Sequence, residues 1–149
     1  MAGIRAVAQT AAITTGTSTI TLLQLVAATN TRVLVNEWSI AFNGTSPSGV
    51  PIKVDVLRQT TAGTMSSLTP VKDPNLGSET LQTTAQHTAA SGEPTSGDIL
   101  ATLYVHPQQS FVWQARFGEP IVVNGGARLG LRVTAAASVS AVASFRFEE

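Results

Sequence analysis

The chain has 149 residues, none of them cysteine, and 9 Lys plus Arg balance 9 Asp plus Glu for a formal net charge of zero. That length suits one domain with its own hydrophobic core, and the missing thiols exclude disulfide frameworks, thiolate zinc sites and cysteine nucleophiles. Charged residues are only 12% of the total, about half the usual share, and there is no basic excess to displace counterions from phosphates, so no nucleic-acid partner is expected.

Residues 1–16, MAGIRAVAQTAAITTG, carry one Arg and no continuous apolar core of the kind a secretory signal needs. They are read as an N-terminal arm of the mature chain, ahead of a single domain over 17–149. No stretch of about 18 apolar residues occurs, so no membrane span and no membrane partner are expected. From 17 onward the periodicity is near two. The run 17-TSTITLLQLVA-27 reads as a strand, and 31-TRVLVNEWSIAF-42 places Leu34, Asn36, Trp38, Ile40 and Phe42 on one face. A turn cluster, 43-NGTSPSG-49, follows. In 50-VPIKVDVLRQT-60, Val50, Ile52, Val54 and Val56 point one way and Pro51, Lys53 and Asp55 the other, a half-buried strand with one wet face.

Residues 61–98 break the alternation with Gly, Pro, Ser and Thr, apart from one short polar strand expected within 80–88. A surface excursion of this length points to a contact-making loop. Alternation resumes in 98-DILATLYVH-106, turns at 107-PQQS-110, and continues in 111-FVWQARF-117, with Phe111, Trp113, Ala115 and Phe117 in phase. The series 120-PIVV-123, 124-NGG-126 and 127-ARLGLRVTA-135 reads as a hairpin. The last run, 138-SVSAVASFRFEE-149, aligns Val139, Ala141, Ala143, Phe145 and Phe147, and ends in a solvated Glu148–Glu149 pair. About eight strands and no amphipathic helix predict an all-β chain, an antiparallel sandwich or barrel.

Reactive constellations are sparse. His106 precedes Pro107 at a strand end, where extended geometry and a turn account for it. His87 lies in the polar segment, with no local ligand spacing to His106. No G-x-S-x-G elbow is present, and Glu37, Asp55, Asp73, Glu79, Glu93, Asp98 and Glu119 are scattered singly rather than paired. The glycines of 124-NGGARLG-130 lead into a strand, not the helix a phosphate cradle needs. Trp38, Trp113, Phe111 and Phe117 offer an aromatic sugar platform only if exposed, and their in-phase positions favour packing. The residues therefore predict no enzyme, no catalytic or metal-binding residue, no cofactor and no small-molecule substrate.

Five stretches, 22-LLQLVAATNTRVLVNEWSIAFNGT-45, 55-DVLRQTTAGTMSSLTPVK-72, 79-ETLQTTAQHTA-89, 105-VHPQQS-110 and 127-ARLGLRVTA-135, resemble a group of small proteins encoded among tailed-phage structural genes. The resemblance spans roughly residues 20–149. It implies a virion structural protein, foremost a capsid decoration (cement) protein on the outside of the head. Its partner would be the major capsid protein, its state a homotrimer, and its fold a sandwich of jelly-roll type. A tail or baseplate component and a carbohydrate-binding module are the alternatives. Apolar residues in polar, irregular segments mark the expected protein interface: Ile4, Val7 and Ile13 in the arm, together with Arg5 beside them, and Met65 and Leu68 in the 61–98 excursion.

Overall fold

Val, Ile, Thr and aromatic residues at a period of two form pleated strands when one face can be buried. The computed structural model describes residues 3–46, 49–73 and 77–149. Those residues form thirteen strands and no helix: β1 (Arg5–Gln9), β2 (Ile13–Thr14), β3 (Ile20–Val26), β4 (Val33–Phe42), β5 (Ile52–Gln59), β6 (Ser66–Leu68), β7 (Val71–Lys72), β8 (Thr84–His87), β9 (Ser96–Val105), β10 (Ser110–Gln114), β11 (Ile121–Val123), β12 (Arg128–Thr134) and β13 (Ser140–Glu148).

Two antiparallel sheets pack face to face, as expected of a sandwich. One runs β10-β4-β13-β1-β7, with β11 also on β4 and β2 also on β13; the other runs β6-β8-β3-β12-β5-β9. The pairing is nested. β1 pairs with β13, β3 with β12, β4 with β10 and β5 with β9, so early strands meet late ones in these four ladders, while β6–β8, β3–β8 and β1–β7 join strands nearer in the chain. Between the sheets lies one apolar core holding Leu23, Leu25, Trp38, Ile40, Val54, Leu129, Leu131, Phe145 and Phe147. All five in-phase residues predicted for the last strand, Val139, Ala141, Ala143, Phe145 and Phe147, are buried in it.

Four expectations change. Residues 5–14 are not an arm set apart from a domain over 17–149. β1 makes a full ladder with β13, from Arg5↔Glu148 to Gln9↔Ser144, and β2 continues it at Ile13↔Ala141. Ala6, Ala8 and Ile13 enter the core, because small side chains at alternate positions let the first strand close the sheet. In β4 the buried set is Val33, Val35, Trp38, Ile40 and Phe42, while Leu34 is half-buried and Asn36 exposed. A bulge between Arg146 and Phe147 on the β13 ladder shifts the phase at this point.

The 124–126 turn is not a hairpin. β11 belongs to the first sheet and β12 to the second, so Asn124–Gly126 turns a corner between sheets. Gly126 takes a positive φ of 76°, and its N–H donates to the carbonyls of Ala27 and Ala28. The fourth change concerns the expected wet face of β5. Pro51 is exposed and Lys53 half-buried, as expected, but Asp55 is buried against Arg132 and Thr102, and Leu57 and Gln59 farther along are buried too; near Gln59 the segments 60–64 and 89–95 are tied together by Thr60 N–H to Thr95 O (3.0 Å) and Thr64 N–H to Gly92 O (2.8 Å).

Candidate functional site

The groups capable of acid–base chemistry do not gather around the histidines. His87 is on β8 and His106 follows β9, four strand spacings apart in the second sheet, or about 19 Å at the usual strand separation. His106 closes a turn as expected: its carbonyl accepts from Gln109 N–H (2.9 Å) and its Nδ1 from Gln108 N–H (3.2 Å). Among the described residues no three His, Asp or Glu side chains are grouped as metal ligands. Glu37 and Asp73 do meet, but at Arg146, 3.3 and 3.4 Å from its guanidinium, in a shallow open depression that Arg5 and Gln114 also line. Pairs this exposed contribute about 0–1 kcal/mol each.

A second polar group is buried at Thr21, Gln24 and Gln59 and reaches the surface at its two ends, Arg128 and Glu93. Under the 60–64 and 89–95 segments a directed chain of hydrogen bonds crosses the sheet. Arg128 Nη1 donates to Gln24 Oε1 (3.0 Å), Gln24 Nε2 to Gln59 Oε1 (2.7 Å), Gln59 Nε2 to Thr21 Oγ1 (3.0 Å), and Thr21 Oγ1 to Glu93 Oε2 (2.6 Å). Every donor points from the cation toward the carboxylate, so each bond polarises the next. Gly130 sits beneath Gln59, and a Cβ there would collide with the Gln59 carboxamide. Glu93 also accepts the Thr21 N–H (2.9 Å), and Gln24 Nε2 reaches Thr61 O (3.0 Å), which binds both covering segments to the sheet.

Beside this chain, Asp55 accepts from Thr102 Oγ1 (2.7 Å) and Arg132 Nη2 (2.9 Å), with Lys53 Nζ at 3.7 Å. Burial pushes the Asp55 carboxyl upward, but the Thr102 and Arg132 hydrogen bonds and the Lys53 and Arg132 charges outweigh it, so the group sits below its ordinary value. Most of the polar atoms in both groups are satisfied within the chain; Arg132 Nε is buried without a partner. Their chemistry is that of fastening. The terminal acids fasten too. Glu148 Oε1 accepts from Gly3 N–H (2.7 Å), and the Glu149 carboxylate takes the N–H groups of Gln82 (2.7 Å) and Thr83 (2.8 Å), so the pair is not the solvated end expected.

The apolar surface lies instead at the two edges of the sandwich. Of the expected interface residues, Ile13 is buried within its own chain, and Ile4 is half-buried in mutual backbone bonds with Glu149 (2.8 and 3.0 Å). Val7 pairs with Val71 across the β1–β7 ladder, next to exposed Arg5 and to Leu68 of β6, so these do share one edge; Met65 is half-buried just before β6. Val71, 70% exposed, is the most open apolar side chain there.

The opposite edge, β9 with β10, was not expected as a surface. Of the eight large apolar side chains exposed among the described residues, six belong to it: Ile99, Leu100, Tyr104, Phe111, Val112 and Phe117. β9 is open along nearly its whole length. Phe111 leans on buried Trp38, ring centroids 5.3 Å apart, while Phe117, predicted to pack in phase with it, stands wholly in solvent in the turn after β10. With Trp38 buried and Trp113 half-buried, the four aromatics do not make an exposed platform.

Comparison with known proteins gives no match: no family, no curated protein and no solved structure resembles the chain significantly.

Proposed function

We propose that the chain is a non-enzymatic structural protein of a phage virion, a decoration protein that binds the outside of the head at joints between major capsid proteins. The observation that carries this reading is where the apolar surface lies. The faces of the sandwich are closed by a salt-bridge cluster and by a fastened polar layer, whereas the edges present apolar side chains to solvent. A cement needs a stiff body and adhesive flanks, and burial at the flanks supplies about 25 cal/mol per Å² of apolar surface before association costs. The nested strand pairing suits a jelly roll, an architecture used in viral capsid domains, which supports the reading by analogy of fold. The sequence resemblance supplies the phage context and a trimeric state.

In this reading the β1–β6–β7 edge, with Arg5, Val7, Leu68 and Val71, faces the capsid. The test is addition of purified chain to heads that lack it. Saturable binding and a rise in the temperature at which heads release their DNA are expected, and Val71→Asp should weaken binding at least about tenfold, a loss of roughly 1.4 kcal/mol. Immunogold label confined to tails would move the protein to the tail or baseplate, and its absence from particles would overturn both assignments.

A further inference from the structure

We infer that the β9–β10 edge is the contact surface between copies of this chain. Three observations carry it. The first is area. Tyr104, Phe111 and Phe117 are 68, 37 and 106% exposed, which amounts to roughly 400 Å² from the aromatics alone at about 200 Å² per ring. Ile99, Leu100, Val112 and the open backbone of β9 extend this toward the ~800 Å² per partner that a stable interface buries. A solitary protein seldom leaves a patch of that size uncovered.

The second observation is charge. Residues 96–117 hold one Asp, Asp98, and one Arg, Arg116. The edge is therefore electrically balanced, like the whole chain with its formal net charge of zero, and two copies approach without repulsion. A partner recognised through charge would find no excess of either sign to read. The third is the scarcity of guarding side chains. Edge strands of solitary proteins are commonly guarded by Lys or Pro; β9, SGDILATLYV, has neither, and β10, SFVWQ, has no charge at all.

The two register shifts of β9 against β5, between Val56 and Leu57 and between Leu57 and Gln59, bend the strand and break its hydrogen-bonding rhythm. That disfavours endless strand-on-strand addition and leaves association to the side chains. Self-association follows from this surface alone and stands whether or not the chain sits on a head.

Light scattering coupled to size exclusion tests it, on the full chain over micromolar concentrations. The wild type should elute as an oligomer, an integral multiple of 15.5 kDa. Leu100→Asp and Tyr104→Asp alter exposed side chains, so they should keep the wild-type circular dichroism and melting curve while association weakens by roughly thirtyfold or more. Val71→Asp, on the far edge, should remain oligomeric. A wild type that stays at 15.5 kDa up to 100 µM, or an oligomer indifferent to both β9 substitutions, would falsify the assignment. Heads decorated by monomers would overturn it while leaving the proposed function standing.

Discussion

Asp55 is held below its ordinary value by Thr102, Arg132 and Lys53, against the upward push of its own burial. A carboxyl whose folded value is depressed contributes stability that is fully present above its unfolded value and is lost as pH falls through the folded one. Asp55→Ala should cost about 3 kcal/mol near neutral pH, chiefly because Arg132 is left partly buried without its anion. The gap between wild type and variant should narrow as pH drops below about 4. Urea unfolding at a series of pH values reads both effects; a gap that is constant from pH 7 to pH 2 would show that the ionised form contributes nothing. The residue was legible in the sequence only as one member of an alternating pattern. Alternation assigned it to the face away from the core, correctly, but could not reveal that Arg132 of β12 and Thr102 of β9 close around it.

Elements were legible where periodicity alone decides them. The strands now numbered β3, β5, β9, β12 and β13 fall within a few residues of the runs 17–27, 50–60, 98–106, 127–135 and 138–149, because one buried face imposes a period of two. What a period of two cannot report is a strand's neighbours. It gave no sign that β11 and β12 part into different sheets, that Ala6 and Ala8 mark a strand, or that β9 and β10 end their sheets. For this last reason the edge bearing Leu100 and Phe117 escaped notice, since an alternating pattern looks alike at the rim and in the middle. Tertiary hydrogen bonds were equally silent. Glu93 lies in a Pro- and Ser-rich segment that reads as solvated, yet it secures that segment to β3. Glu93→Ala should leave the buried Thr21 N–H without an acceptor, at a cost of about 1–3 kcal/mol. Amide exchange should then quicken at Thr21 and across 89–95 while β12 and β13 keep their protection. Unchanged exchange at Thr21 would mean that Glu93 fastens nothing.

At the scale of the molecule, nested pairing makes the fold depend on contacts between distant parts of the chain, with β1 waiting for β13. Sandwiches of this kind fold in milliseconds to seconds, since loop closure precedes any gain from the pairs it brings together. That same neighbourhood of first and last strands, with Ile4 and Glu149 exchanging backbone hydrogen bonds, allows the chain to be rewired. A circular permutant that joins Glu149 to Gly3 through a short glycine linker, and opens at the exposed 136–138 turn, would convert the most remote strand pair into a simple hairpin. It should melt within a few degrees of the parent and refold about tenfold faster in stopped-flow. Because Ile4 and Glu149 meet at one spot, a peptide inserted in that linker would be displayed there with both of its own ends tethered.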